Sequence, residues 1–281
     1  MKLNSKNYHQ ANSLYLTSSK INAYLTDPYY YYEKHVLKTL EDEKTDALLL
    51  GSAVDCYITK GKKAFNRLFK PVTRRTNVEG LKYTEMTQAS YQEAVTISER
   101  VMATQAFKEL DGFERQVVLE QKDPLWVFEE PMKEPAIVGK GIPPLCGMLD
   151  FLKVENEKAI IVDLKTARTA DPKKYYYHAQ DYGYFIQAAV YTKLVRVNYP
   201  QVKTIDFYHL VVSKENKNLY QVQTFKFDTN LIEQHITQVN NLILEISLRK
   251  EWQRKDSSFK DAILLGATAV MPAEWSDGEE V

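Results

Sequence analysis

Residues 147–166 read GMLDFLKVENEKAIIVDLKT, and the spacing of charge within them decides the architecture. Two apolar runs flank the polar tetrad from Glu155 to Lys158, which predicts two short strands joined by a turn. Side chains of a strand alternate between faces, so Asp163 and Lys165 share one face while Leu164 enters the opposite layer. If Asp150 reaches that face from the adjacent strand, two carboxylates and an ammonium converge. Such a set suits a hard, oxygen-loving cation such as magnesium, with the lysine orienting or activating a water beside it. This is equipment for hydrolysing a phosphodiester.

A D-x-K triplet on a hairpin is more often a solvated surface feature than a site. Its setting here argues otherwise. Ala159, Ile160, Ile161, Val162 and Leu164 supply apolar side chains to both faces, the pattern of a central strand. A carboxylate buried in such a strand requires a cation or hydrogen-bond donors.

The flanking sequence predicts layers around this hairpin. Gln116–Glu120, Leu125–Glu129, Cys146–Val154 and Lys158–Lys165 read as consecutive strands, followed by a helix over Tyr184–Val197 and strands over Thr204–Val212 and Leu219–Phe225. A last helix, capped by Asp228, places Ile232, Ile236, Val239, Ile243 and Ile246 on one face. Upstream, Ser18 or Ser19 opens a helix to Leu25, Pro28 starts the aromatic run Tyr29–Tyr32, and a helix spans Ala47–Thr59. A basic loop and a long helix carrying Ala94, Ile97, Val101 and Phe107 are expected to form a peripheral cap. Strands enclosed by helices indicate an α/β layer architecture. The expected organisation is a helical part over residues 1–110, a sheet-bearing core over 111–250 and a tail over 251–281, the whole forming one compact domain. The tail's role stays open between docking a neighbouring subunit and fraying.

Further residues could complete a site. Asp55 lies one turn past Gly51, a residue whose missing side chain would let its helix approach the sheet; an exposed polar position is the competing reading. Tyr184, Gln187 and Tyr191 fall on one helical face, and a glutamine in the apolar run YFIQAAVY needs a hydrogen-bond partner if buried. Arg168, Lys173 and Lys174 come directly after the D-x-K strand on an expected loop, where they could meet a phosphate. Between residues 60 and 75, Lys60, Lys62, Lys63, Arg67, Lys70, Arg74 and Arg75 occur without an acidic residue; a phosphate-contacting role and a solvated face stand about even.

Composition narrows the classes. The 281 residues, 44% of them hydrophobic, can bury a large core. Lys and Arg total 37 against 37 Asp and Glu, so any attraction for nucleic acid is local, not global. Cys56 and Cys146 are too few for a four-cysteine metal site and read as buried thiols. No two histidines have metal-ligand helical spacing and no G-x-S-x-G is present, which sets aside zinc-hydrolase and serine-hydrolase readings. No stretch is long and apolar enough to span a bilayer, and the first ten residues lack the apolar segment of a signal peptide, so a cytoplasmic protein without membrane contact is expected.

Taken in order, LTSSKINAYLTDPYYYY at 16–32, LGSAVD at 50–55, GMLD at 147–150, VDLKT at 162–166 and YFIQAAVY at 184–191 resemble the PD-(D/E)XK nuclease superfamily. The likeness is to its RecB-like branch, and there to the C-terminal nuclease domain of RecE, exonuclease VIII, of phage recombination systems. The ordered set carries the resemblance, not any one piece. It departs in two places: the family's usual histidine is here Asp55, and the cysteine that precedes the proline in iron–sulfur members is here Asp27, before Pro28.

The resemblance implies a restriction-endonuclease-like core, a central mixed β-sheet flanked by helices, with an N-terminal helical extension. It implies a magnesium-dependent 5′-to-3′ double-strand DNA exonuclease in a bacterial host cell, with manganese able to substitute and no iron–sulfur cluster. Asp150, Asp163 and the Leu164 carbonyl would hold the metal, Asp55 would be an auxiliary ligand, and Lys165 would position the nucleophile. Gln187 and Tyr191 would support the site. Double-strand DNA ends, a phage single-strand annealing protein and further copies of the chain in a ring-like trimer or tetramer are the implied partners. An endonuclease on the same fold and a catalytically silent DNA-binding or partner-binding protein are the competing readings.

Overall fold

The structure, a computed structural model, describes residues 3–5, 7–8, 14–41, 45–76, 81–122, 143–216 and 219–249, and the short strands at 263–264 and 271–272. Thr17 accepts a hydrogen bond from the Lys20 N–H and opens helix α1 (Ser18–Thr26). Asp27 accepts from the N–H groups of Tyr29 and Tyr30, capping α2 (Pro28–Tyr31). The Asp-Pro pair therefore serves as a helix start. Thr45 caps α3 (Asp46–Asp55), whose end loosens into a π turn over Cys56–Lys60; there the Thr59 hydroxyl donates to the Asp55 carbonyl at 2.7 Å.

The expected basic loop is helix α4 (Lys62–Leu68) followed by strand β1 (Phe69–Val72), which pairs in parallel with β2 (Thr84–Thr87). Ala64, Phe65, Leu68 and Phe69 explain the difference, because they give this stretch an apolar side that packs into the core. Helix α5 (Gln88–Met102) buries Ala94, Ile97 and Val101 as expected. It stops before Phe107, because Thr104 caps a separate short helix, α6 (Gln105–Lys108). Nor is this region a peripheral cap: Phe65, Met86, Ile97 and Val101 belong to the same buried cluster as Phe151, Val162 and Leu164 of the sheet.

That sheet has five strands in the order β3 (Glu114–Gln121), β4 (Leu145–Glu155), β5 (Lys158–Ala167), β6 (Thr204–Ser213) and β7 (Val222–Lys226). Strand β5 is central, antiparallel to β4 and parallel to β6, so the sheet is mixed. The β4–β5 hairpin turns at Asn156, whose φ is 53°. The last strand begins at Val222 and not at Leu219, because Leu219 and Tyr220 first form a turn back onto Asn216 and Tyr220 takes φ 41°. The expected strand Leu125–Glu129 falls outside the described residues.

Two helices cross from β5 to β6: α7 (Pro172–Asp181) and α8 (Tyr184–Asn198). The first stands where a loop is expected, because Asp171 accepts from the Lys174 N–H ahead of Pro172, a helix start written in the sequence. Helix α8 is buried from Phe185 to Val195 on nearly every side, since α9 (Thr229–Leu248) and α1 pack over it. Helices thus cover both faces of β5. The expected layout, a central mixed β-sheet flanked by helices with an N-terminal helical extension, is the one observed.

Residues 1–248 cluster as one unit and 249–281 as another, in which β8 (Ile263–Leu264) pairs antiparallel with β9 (Met271–Pro272). Most of that tail, including Trp252 and Trp275, lies outside the described residues. Among the described residues no helix is long and apolar enough to cross a membrane.

Candidate active site

The β4–β5 ladder ends at Phe151 and Val162, one residue short of Asp150 and Asp163. Past that point Asp150 Oδ2 accepts a hydrogen bond from the Leu164 N–H at 2.8 Å, so a side chain replaces the missing backbone partner. A strand residue sends its N–H and C=O to the same side, so the Leu164 carbonyl is directed into this gap as well. The β3–β4 register also skips the pair Gln116 and Asp150, because Gln116 adopts φ 53°. Asp150 therefore sits in a local opening between three strands, a feature of backbone geometry that the apolar pattern could not disclose.

Asp163 and Lys165 share a face, as their spacing requires, and form an ion pair through Asp163 Oδ2. Asp163 is 3% exposed. Its Oδ1 accepts from Gln187 Nε2 at 3.0 Å, the same amide donates to the Tyr191 hydroxyl at 3.2 Å, and that hydroxyl donates to the Met148 carbonyl at 2.9 Å. Helix α8 thus fixes the carboxylate through a directed chain of bonds. Gly147 makes this possible: a methyl there would lie 2.8 Å from Tyr191 Cε1 and 2.9 Å from Leu194 Cδ1.

On the opposite side α3 approaches closely at Gly51, where an added Cβ would stand 3.2 Å from Thr166 Oγ1. Asp55 comes one turn later, at the junction with the π turn, and Gln116 Nε2 reaches its Oδ1 at 3.5 Å. Two helices and two strands therefore bring Asp55, Asp150, Asp163 and Lys165 into one charged neighbourhood. Burial pushes the Asp55 pKa up to about 6; Asp163 adds to the rise while Lys60 and the Thr59 hydroxyl oppose it. Burial and the charges of Asp163 and Asp55 raise Asp150 well above the carboxylate range, against the pull of Lys165 and the Leu164 N–H. Burial works against the Lys165 ammonium, but Asp163, Tyr184 and Asp150 outweigh it and its pKa rises.

The donor set fits a divalent cation. Three carboxylates face Lys165 and, beside Asp55, Lys60; burial first, and then their mutual repulsion, disfavours the charged forms of Asp55 and Asp150, and a divalent ion would offset both. Asp163 Oδ2 is buried with an ion pair but no hydrogen bond. The side chains are not, however, a ready-made cage: among the described residues no three His, Cys, Asp or Glu side chains stand within reach of one ion. Lys165 engages Asp163, and Leu164 engages Asp150.

A cleft of about 920 Å³ reaches this site at Asp55, Leu164 and Lys165, with Lys60, Lys82, Arg168 and Lys214 also among its lining, while Asp150 and Asp163 lie behind it. Of the basic residues expected to meet DNA, Lys60 and Arg168 line the cleft. Lys173 and Lys174 stand on the first turn of α7, Lys174 at 3.8 Å from Glu215. Lys62 lies 3.7 Å from Glu99 and Arg75 pairs with Asp46 at 2.6 Å. Lys63, Arg67 and Arg74 are exposed elsewhere.

His209 escaped the sequence reading. It is the register partner of Asp163 on β6 and fully buried, with Nε2 3.9 Å from Asp163 Oδ2 and Nδ1 2.7 Å from the Tyr175 hydroxyl. Burial, and then the Lys165 charge, hold its pKa well below the usual value, so it is neutral. A polar residue at the centre of an apolar strand was the available signal.

The family described as "PDDEXK-like domain of unknown function (DUF3799)" matches residues 19–258. Among solved structures, a protein from Eubacterium rectale described as "Putative exonuclease" superposes with TM-score 0.61 at 20% identity, covering 93% of this chain and 98% of its own. A "phage related exonuclease" from Haemophilus somnus 129PT gives TM-score 0.35 at 11% identity, covering 83% and 94%. At these identities the first likeness concerns the fold, and the second carries no weight. No curated protein matches the sequence.

Proposed function

The chain belongs to this family of PDDEXK-like domains, and from that membership we propose that it is a magnesium-dependent deoxyribonuclease, an exonuclease that degrades linear double-strand DNA from the 5′ end. The observation that carries the proposal is the placement of Asp150, Asp163 and Lys165 at a break in the β4–β5 ladder, with Asp55 facing them from α3. Asp150, Asp163 and the Leu164 carbonyl are the proposed ligands, with Asp55 auxiliary. The bound ion supplies charge neutralisation and Lewis acidity at the scissile phosphate. Manganese, sharing a preference for oxygen donors, serves in its place.

The chain's own residues then have distinct tasks. A lysine whose pKa is raised stays protonated at neutral pH, so Lys165 donates to the attacking water and to the phosphate's developing charge and does not act as a general base. Gln187 and Tyr191 hold Asp163 in one orientation. Arg168 and Lys60 at the cleft meet the substrate's phosphates. Ring-like oligomers and a phage annealing protein complete the proposed setting.

Purified protein incubated with linear and with closed-circular duplex DNA in magnesium tests this directly. Loss of the linear form alone is expected. Cutting of circles would instead assign an endonuclease, and no hydrolysis with any divalent ion would leave a DNA-binding or partner-binding protein on this fold.

A further inference from the structure

The cleft has an outer wall for which metal-assisted hydrolysis alone gives no use. In the turn between α7 and α8, Tyr182 is 62% exposed and lines the cleft, yet its ring is not adrift. It stacks on His178 with centroids 4.3 Å apart and planes 26° from parallel. The ring is supported by His178, and most of the residue stays open to solvent. Tyr184 lies 6.0 Å further in, with Lys165 Nζ 4.8 Å from its ring centre, so aromatic surface runs from solvent to the ammonium of the site. Gly183 between them holds φ 67° and packs against the Asn22 side chain of α1. Arg168 and Lys214 line the same cleft without an ion pair among the described residues.

The geometry points to a nucleobase-stacking site: Tyr182, backed by His178, takes a base on its exposed side while Arg168 and Lys214 meet the adjoining phosphates. Stacking on an aromatic ring is indifferent to base identity, and cationic neighbours favour a polyanionic strand over any other planar ligand. A base inside a duplex is covered on both sides, so the ligand is an unpaired nucleotide at or near a strand end. The cleft's volume agrees, being in the range of pockets that enclose small ligands. This inference rests on the nuclease reading and gives it a substrate preference.

The test uses a short single strand with 2-aminopurine as its terminal base, titrated with the full chain in calcium in place of magnesium. Wild type is expected to quench the fluorescence. Tyr182→Ala is expected to lose the quench and bind about tenfold more weakly, with Tyr182→Phe restoring both. A strand with an abasic terminal nucleotide should bind wild type as weakly as the intact strand binds Tyr182→Ala. Unchanged quenching and affinity in Tyr182→Ala, or equal affinity for the abasic strand, would overturn the stacking site. Degradation of linear duplex in magnesium is measured alongside. Degradation without terminal-base discrimination removes the stacking site and leaves the nuclease; absence of both degradation and strand binding removes both.

Discussion

Lys165→Ala is expected to lower DNA hydrolysis by about a hundred- to a thousandfold while leaving DNA affinity within a few-fold of wild type. The reason is positional. Lys165 lies on the floor of the cleft with its side chain only 17% exposed, paired to Asp163 and close to Tyr184, whereas contacts available to the strand's phosphates lie further out, at Arg168, Lys60 and Lys214. In the proposed mechanism, loss of the ammonium removes a hydrogen-bond donor that orients the attacking water and leaves the outer contacts intact. Single-turnover rates and equilibrium binding in calcium separate the two effects. Full activity in Lys165→Ala would remove the lysine from the mechanism.

Asp150→Asn should separate activity from stability. The amide oxygen can still accept from the Leu164 N–H, so the opening between strands survives, but a proposed ligand is lost and turnover should fall by a comparable factor. The metal-free variant should nevertheless gain stability over wild type as pH rises. The direction of the shift sets the sign: a carboxyl with a raised folded-state pKa keeps its proton in the folded chain to higher pH than in the unfolded one. Wild-type stability from this group is therefore fullest below the ordinary carboxylate pKa and declines as pH climbs through the raised value. Asparagine removes that decline. Thermal melts between pH 5 and pH 9 in chelator should show a widening gap in favour of the variant, and added magnesium should raise the melting point of wild type alone. Parallel melts with equal responses to magnesium would contradict the ligand assignment.

Periodicity made part of the site legible in the sequence. Alternation along 158–167 placed Asp163 and Lys165 on one face, helical spacing joined Gln187 to Tyr191, and Gly51 announced the close approach that brings Asp55 in. The rest depends on backbone irregularity and on topology. The left-handed Gln116, the early end of the β4–β5 ladder and the π turn after Asp55 leave no apolar pattern, yet together they make the opening around Asp150. His209, Tyr182 and Lys214 reach the site only because β6 lies beside β5 and the α7–α8 turn folds over it. The helix start at Asp171-Pro172 was readable, and Lys173 and Lys174 belong to a helix as a result. The convergence of three aspartates was legible as a neighbourhood of charge but not as a cage, because Lys165 and the Leu164 N–H occupy two of the carboxylates.

The proposed function requires a divalent ion where β4 and β5 part. Anomalous diffraction at the manganese edge, from crystals of the full chain grown with saturating manganese, tests it without reference to activity. A peak bonded to Asp150, Asp163 and the Leu164 carbonyl is expected, with Lys165 moved off Asp163 Oδ2. A peak elsewhere, or none while the Lys165–Asp163 pair stays closed, would contradict it.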